Sequence, residues 1–439
     1  MDARHSHPVL ISFEEFSMSF AFVSASAPPF LRSAPPFAPE TQLLCLCARS
    51  EVEGEREDRL RALLAEPLDW AAVLTAAALH GVSGMLYHHL ARHAASVPAD
   101  ALSCLQRRAQ ATQFYNMRVM TELVRIAALF RAEGIPLLTY KGAALASRYY
   151  GNLAFRRFGD VDLLVHRDNL GQAKALLLGE GYATVRSLSD EQEHMRHEAQ
   201  LGYELHHEER DVLVELHWAL LNRALTFRLS SDDVWARSTT HQFGTSSVQV
   251  LDPDDLLLYL CAHGTKHHWS RLLWVSDVAQ VLRADPDRDW GRLMKRARSI
   301  GSLRTLLLGV ILAGRWLDVE VPPEVHRRIA SDETVERLVQ EVETKWFGTQ
   351  KGLFRPVEWS TFWFAFRTRQ RLRDNLALLG HYAALAVTPT EHDYAFLSLP
   401  PSLWGLYYLI RPFRLLRDGG RALARLVDGT AKPTSHHAQ

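Results

Sequence analysis

Two short segments in the middle of the chain alternate apolar and polar residues with a period of two. They are Asp160-Val-Asp-Leu-Leu-Val165 and Val214-Glu-Leu-His-Trp218. Because successive side chains of a strand point to opposite faces, each segment predicts a strand with one apolar face and one polar face. Asp160 and Asp162 then lie on the same face, with their Cα atoms ~6.6 Å apart. The pattern predicts a sheet that buries one face and carries a polar site on the other.

The residues around these segments predict an α+β fold, with a mixed sheet of about five strands over residues 135–251. Ile135–Tyr140 predicts a first strand, which is followed by a Lys141-Gly142 turn and an Ala-rich helix to Tyr150. Helical spacing dominates before and after the sheet, over 41–134 and 252–416. The remaining predicted strands cover 200–207, 211–218 and 246–251, and the predicted helices include 169–179, 254–266, 271–284, 289–299 and 302–317.

Composition indicates a globular protein and a cytoplasmic location. Hydrophobic residues make up 47% and charged residues 23% of the chain, which is typical of soluble domains. No apolar run reaches the ~18 residues of a membrane span, and four cysteines are too few for a disulfide framework in a chain of this length. Six prolines and a duplicated Ser-Ala-Pro-Pro-Phe segment predict a disordered leader over 1–40, and 417–439 is predicted to be a disordered tail.

The charge balance limits the partners that the chain can attract. Lys and Arg number 50 and Asp and Glu also number 50, so there is no overall field to bind long nucleic acid. The segment Leu403–Ile410, followed by Arg411, Arg414 and Arg417, has the composition of a membrane-surface helix. Docking of this aromatic run on the protein's own core is the favoured interpretation, so membrane contact is not expected.

Three acids are candidate metal ligands. If the two alternating strands are neighbours, Asp160, Asp162 and Glu215 converge, and their oxygens would select Mg²⁺ or Mn²⁺. Three carboxylates this close would repel one another by several kcal/mol without an ion. His217 shares the face of Glu215 and could be a ligand, a general base or a hydrogen-bonded neighbour, of which the neighbour is favoured.

Basic residues close to the acids are candidate phosphate ligands. Lys141 adds a positive charge at the turn, and Gly142 allows close approach of the backbone to a phosphate. Arg156 and Arg157 precede the first aspartate and can either grip phosphate oxygens or simply neutralise the acids. A cation site beside an anion site suits phosphoryl or nucleotidyl transfer, in which two metals ~3.5–4 Å apart hold the attacking and leaving oxygens.

These motifs together resemble an uncharacterised bacterial nucleotidyltransferase family of the DNA polymerase β-like superfamily. The resemblance would cover about residues 41–416. It implies that Asp160 and Asp162 are the paired metal ligands and Glu215 the third carboxylate, while Lys141-Gly142 takes the place of the usual Gly-Ser phosphate turn. The segments that carry it are Tyr140–Leu145, Tyr149-Tyr150, Arg156–Val165, Val214–Trp218, His263–His267, Trp274–Asp277 and, in part, 399–412.

Four residues of the last two helical motifs are further substrate-binding candidates. His263, Lys266 and His267 are predicted to lie on a helix that faces the active-site cleft. The one-turn spacing of the two histidines could also bind a metal, although 21 histidines make chance pairs common. Asp277 is expected to anchor this helical face through a hydrogen bond or a salt bridge.

The resulting functional hypothesis is a Mg²⁺-dependent transfer of an NMP from a nucleoside triphosphate to an acceptor hydroxyl, with release of pyrophosphate. The acceptor would be a small molecule, a glycan or a peptide, and the resemblance implies surface-polysaccharide or peptide natural-product biosynthesis. The alternatives are a non-catalytic nucleotide- or partner-binding module and a phosphotransferase. The chain contains neither a nucleophile elbow nor a Gly-rich dinucleotide fingerprint.

Overall fold

The computed structural model describes residues 37–185, 202–221, 229–347, 360–389, 393, 396–397, 399–415 and 417. The described residues up to Asn375 belong to one compact unit, and those from Leu376 onward belong to a second. The predicted leader, up to residue 36, and the predicted tail after residue 417 lie outside the described residues. The domain boundaries at 41–134, 135–251 and 252–416 stay predictions.

Helices precede the sheet. Helix α5 is 34 residues long and ends just before Gly134, which has a φ of +68°, a left-handed conformation that favours glycine. Its second half buries Val119, Leu123, Ile126 and Phe130 at helical spacing, which gives it one apolar face. The five α-helices described here are α1 (Pro39–Cys47), α2 (Glu55–Leu64), α3 (Trp70–Leu79), α4 (Ser83–Leu90) and α5 (Ala99–Ala132).

The described residues form a seven-stranded mixed sheet with the order β3-β4-β5-β2-β1-β7-β6. Strands β2 and β5 are parallel neighbours, as are β1 and β7, and the other neighbouring pairs are antiparallel. The strands are β1 (Leu138–Thr139), β2 (Asp160–Leu164), β3 (Ala183–Thr184), β4 (Gly202–His207), β5 (Val212–His217), β6 (Thr239–Phe243) and β7 (Ser246–Val250).

The five predicted strands are present, and β3 and β6 are additional. Both additional strands lie at the edges of the sheet. Strand β3 has only two residues, and Thr239–Phe243 is mostly polar, so neither carries a clear apolar period. Strand β6 forms a hairpin with β7 around Gly244, whose φ is +57°. Pairing with a neighbouring strand, more than local sequence preference, therefore makes these segments extended.

The two faces of the sheet belong to different cores. Val161, Leu163, Val214 and Leu216 pack in one core, together with residues of helices α5 and α7 (Leu170–Gly179). Leu138, Tyr140 and Leu164 belong to the other core, which contains the helices on both sides of the sheet region in sequence. The second face is therefore apolar near β1, while its centre carries the acids.

The helices after the sheet begin at sites that the sequence marks clearly. The side chain of Asp252 accepts the N–H of Asp254, and that of Asp289 accepts the N–H of Arg292, so both residues are N-caps. The four predicted helices here agree with the structure to within a residue. The helices are α8 (Ser231–Arg237), α9 (Pro253–Lys266), α10 (Leu272–Arg283), α11 (Trp290–Ile300), α12 (Leu303–Leu317), α13 (Pro323–Ala330), α14 (Glu333–Phe347), α15 (Ser360–Thr368) and α16 (Leu372–Val387); α6 (Gly142–Leu145) and α7 lie between strands.

No helix in the described part of the chain has the length and apolarity needed to cross a membrane. In the second unit, Asp393 is fully buried and pairs with Arg411 and Arg414, at 2.9 and 2.6 Å. Tyr407 is buried in the same segment. Two of the three arginines that follow the aromatic run are thus held by an internal acid.

Candidate active site

The pairing of β2 with β5 places Asp162 directly opposite Glu215. The two strands are parallel, and the next pair on the same face is Asp160 with Leu213. Paired Cα atoms in neighbouring strands lie about 4.8 Å apart. Because Val161 and Val214 are buried on the opposite face, the carboxylates share the second face. The two alternating strands are therefore neighbours, which is the arrangement that a shared metal site requires.

His217 joins these two acids in a compact group. One carboxylate oxygen from each of Asp162 and Glu215 and one ring nitrogen of His217 lie within 4.8 Å of one another. The Nε2 atom of His217 is 3.1 Å from Oε2 of Glu215, which is the hydrogen-bonded contact expected from the sequence. Asp160 lies on the same face, two residues before Asp162, outside this group of three. These oxygen and nitrogen donors have the chemistry of a divalent metal site.

Asp162 is buried with only one of its two oxygens satisfied. The residue is 3% exposed, and its Oδ1 accepts a hydrogen bond from Nζ of Lys141 at 3.1 Å. Its Oδ2 is buried and has no hydrogen-bond partner. An unsatisfied buried polar atom costs about 1–3 kcal/mol. The free oxygen points to a ligand that would offset this cost, and a bound cation fits the donors around it.

The electrostatics of the group push two neighbouring acids in opposite directions. Burial raises the pKa of Asp162 to about 7, against the attraction of Lys141 and with added repulsion from Asp160 and Glu215. Burial also raises the pKa of Asp160. Burial alone would raise the pKa of Glu215, but the hydrogen bond from His217 and the charge of Lys141 outweigh it and lower the pKa to about 2. A bound cation would favour the ionised form of all three acids.

Lys141 and Gly142 form the turn after β1. Burial alone would lower the pKa of Lys141, but the charges of Asp162 and Asp160 raise it well above its usual value, so the ammonium is charged. A Cβ on Gly142 would lie 3.1 Å from Cβ of Phe158, so a glycine allows the turn to pack closely beneath the start of β2. The phosphate contacts expected of this turn stay a prediction.

Arg156 forms a buried ion pair with Asp277. Its Nε is 2.7 Å from Oδ1 and its Nη2 is 2.9 Å from Oδ2, and the two residues are 4% and 1% exposed. The hydroxyl of Tyr150 also donates to Oδ1, at 2.8 Å. A third guanidinium nitrogen donates to the carbonyl of Gly142 at 3.4 Å. Asp277 thus makes the anchoring contact expected from the sequence and connects α10 to the Lys141-Gly142 turn, while direct contact of Arg156 with phosphate stays a prediction.

Helix α9 carries His263, Lys266 and His267. The rings of His263 and His267 lie 4.8 Å apart, and both contact Trp274. Burial and the nearby charge of Lys266 lower the pKa of His267 to about 3; burial and the charge of Lys141 lower that of His263 well below its usual value. Both imidazoles are therefore neutral at physiological pH.

Lys266 lies close enough to the site to affect its charges. It is open to solvent, yet the surrounding protein and the charge of Lys141 lower its pKa, while Glu215 opposes that effect. The charges of Lys141 and Glu215 both affect the pKa of Lys266, so Lys266 lies near the acidic group.

The structure adds Glu204, a residue that the sequence argument did not single out. Glu204 of β4 is paired with Glu215 of β5, and its Oε2 is buried without a hydrogen-bond partner. Glu204, Glu215 and Asp162 therefore form a row across three neighbouring strands. The period-two alternation of β4 could have identified it, but Tyr203, Glu204, His206 and His207 place polar atoms on both faces and hide the pattern.

The fold and the site define an α+β protein whose sheet presents an acidic, imidazole-containing group beside basic side chains. Residues 66–318, more than half of the chain, match the model of a family described as an uncharacterised nucleotidyltransferase, and the chain belongs to this family. The match runs from just before α3 to the end of α12 and includes the whole sheet. No curated protein matches the chain, and no solved structure does.

Proposed function

We propose that this protein transfers a nucleoside monophosphate from a nucleoside triphosphate to an acceptor hydroxyl, on a core of the DNA polymerase β-like type. The family membership supports a nucleotidyltransferase. The observation that carries the proposal is the in-register pair Asp162 and Glu215, with a buried unpartnered oxygen on Asp162 and with Lys141 beside it.

The acids would hold Mg²⁺ or Mn²⁺ through Asp160, Asp162 and Glu215. When bound, the metal would supply positive charge to the transferred phosphate and to the attacking oxygen. The acceptor oxygen forms a bond to the α-phosphorus and loses its proton to solvent, the bond from the α-phosphorus to the bridging oxygen breaks, and pyrophosphate leaves.

The basic residues have different tasks in this proposal. Lys141 is charged and borders the acids, so it is suited to the phosphates of the leaving group. Lys266 is open to solvent on the same side and can approach the outer phosphates. Arg156 and Asp277 act as positioning residues because their ion pair holds the Gly142 carbonyl and therefore the turn. His263 and His267, which both contact Trp274, would form one wall of the substrate site.

The acceptor is proposed to be a small molecule, a glycan or a peptide, in surface-polysaccharide or peptide natural-product biosynthesis. The equal numbers of acidic and basic residues weigh against long nucleic acid.

The test is calorimetric titration of the full chain with each nucleoside triphosphate and Mg²⁺, followed by an assay for pyrophosphate and nucleoside diphosphate formed with panels of small acceptors. Asp160→Asn should lose metal-dependent binding, whereas the matched control Asp168→Asn, at an exposed position after β2, should keep it. Formation of a nucleoside diphosphate and a phosphorylated acceptor, without pyrophosphate, would indicate a phosphotransferase. Metal-dependent binding without either product would indicate a non-catalytic binding module.

A further inference from the structure

The ring of His217 occupies space that a glycine on the neighbouring strand leaves open. Gly202 of β4 is paired with His217 of β5. A Cβ on Gly202 would lie 2.7 Å from Nδ1 of His217 and would also collide with the carbonyl oxygen of Leu216. Any other residue at this position would displace the ring or the strand. Gly202 is the first residue of β4, and a glycine in a strand often marks a place where another group approaches the backbone closely.

The close packing of His217 against Gly202 determines which ring nitrogen faces the acids. With Nδ1 against Gly202, the opposite nitrogen Nε2 reaches Oε2 of Glu215 at 3.1 Å. The ring of Tyr140 borders the imidazole edge to face, with centroids 6.2 Å apart. Nδ1 is buried and has no hydrogen-bond partner. Packing on two sides, without a hydrogen bond to Nδ1, therefore holds the ring with Nε2 toward the acids.

The dimensions of the group suit one ion. Ligand atoms about 2.1–2.2 Å from a first-row divalent ion lie at most about 4.4 Å apart. The ligand atoms of Asp162, Glu215 and His217 lie within 4.8 Å of one another, so small side-chain movements would close the shell. Lys141 engages the other oxygen of Asp162, which leaves the unpartnered Oδ2 for the ion.

We propose that His217 is itself a metal ligand, through Nε2, and that the resulting site of carboxylate oxygens and one imidazole nitrogen prefers Mn²⁺ to Mg²⁺. This inference rests on the proposed function, which requires a divalent ion at the same acids. Imidazole is a good ligand for transition metals and a poor one for Mg²⁺, whereas carboxylates accept both Mg²⁺ and Mn²⁺. In this proposal, binding of the ion to Nε2 replaces the hydrogen bond between His217 and Glu215.

The test is titration of the full chain with MnCl₂ alone, followed by electron spin-echo envelope modulation of the bound Mn²⁺. We expect nitrogen modulation from a directly bound imidazole, and we expect the pattern to change to that of ¹⁵N when the protein is grown with ¹⁵N-histidine. This labelling experiment needs no substitution, so it does not depend on the folding of a variant.

Variants then assign the nitrogen to one residue. His217→Gln should abolish the modulation and weaken Mn²⁺ binding by at least about tenfold, with a smaller change for Mg²⁺. His326→Gln, at an exposed histidine of α13 outside the ligand group, should keep both the modulation and the affinity.

Mn²⁺ that binds without nitrogen modulation, or modulation that survives His217→Gln, would overturn the assignment of His217 and leave the proposed function standing. A failure of the chain to bind either Mn²⁺ or Mg²⁺ would overturn both.

Discussion

The chain buries Asp277 and Asp162 to nearly the same extent, 1% and 3% exposed, but surrounds them differently. Both oxygens of Asp277 are bonded, to Arg156 and Tyr150. Asp162 has one oxygen on Lys141 and the other without a partner. Buried polar groups are normally satisfied by the fold itself. Asp277 follows that rule, whereas Asp162 breaks it, and its unpartnered oxygen supports the proposed metal site.

The largest expected effect is at the unsatisfied acid. Asp162→Asn preserves the shape of the side chain but removes the charge that would hold a cation. We expect pyrophosphate release to fall by at least about a thousandfold, which is roughly 4 kcal/mol of transition-state stabilisation. The measurement is product release under saturating metal, with circular dichroism to verify folding. Activity within tenfold of the unmodified protein would contradict a catalytic role for this carboxylate.

The satisfied acid should show the opposite behaviour. Asp277→Asn leaves the guanidinium of Arg156 buried without its counter-charge, and we expect a loss of about 3 kcal/mol in the free energy of unfolding. Urea denaturation measures it. The double variant Asp277→Asn with Arg156→Met should recover part of the loss, because no uncompensated charge remains. If Asp277→Asn lowers the free energy of unfolding by less than about 1 kcal/mol, the ion pair of Arg156 and Asp277 contributes no more than a surface pair would.

The sequence alone predicts the elements that have a clear period. Residues 160–163 and 214–217 alternate between polar and apolar side chains, and Asp252 and Asp289 are strong helix starts, so the sequence predicts these strands and helices nearly to the residue. Strand β6 was missed because its extended form depends on pairing with β7. The local pattern of apolar residues predicts a single strand or helix, but it does not show which distant segments pair with each other.

In the candidate site too, local sequence predicts some features, while others depend on contacts between distant segments. Alternation put Asp162 and Glu215 on one face of their strands, but only the strand order made them neighbours. Arg156 looked like a phosphate ligand because it precedes Asp160 in sequence. Its bond to Asp277, 121 residues further along the chain, depends on the packing of α10 against the turn. The roles of Glu204 and Gly202 become visible only from their partners on β5, which are Glu215 and His217.

Metal binding should change the free energy of unfolding differently in variants of Asp162 and Asp277. A cation that binds the folded chain should raise the free energy of unfolding by about 2.7 kcal/mol at a free concentration one hundred times its Kd. The chelator EDTA should remove this gain. Because the free oxygen of Asp162 is the expected ligand, Asp162→Asn should show no gain, while Asp277→Asn should keep it despite its lower baseline. An equal gain in both variants would place the ion elsewhere. Thermal or urea unfolding with and without metal provides the measurement.

The smallest effect concerns another interior group that the fold itself satisfies, His80. Its Nδ1 accepts the N–H of Leu272 at 3.4 Å, and its ring stacks on Trp346 with centroids 4.2 Å apart. Burial, together with the charge of Arg271, lowers its pKa from 6.5 to about 4. Between these values the unfolded chain binds more protons than the folded chain, so the stability from neutral His80 is complete above 6.5 and is lost as the pH falls toward 4.

We expect this one group to cost about 2 kcal/mol of stability between about pH 7.5 and about pH 4.5. His80→Gln should therefore have a flatter stability profile than the unmodified chain over that range, even if it is less stable at neutral pH. His326→Gln, at an exposed position of α13, should leave the profile unchanged. Urea unfolding at a series of pH values measures the difference. An unchanged slope in His80→Gln would mean that protonation of this ring does not reduce the stability of the folded chain.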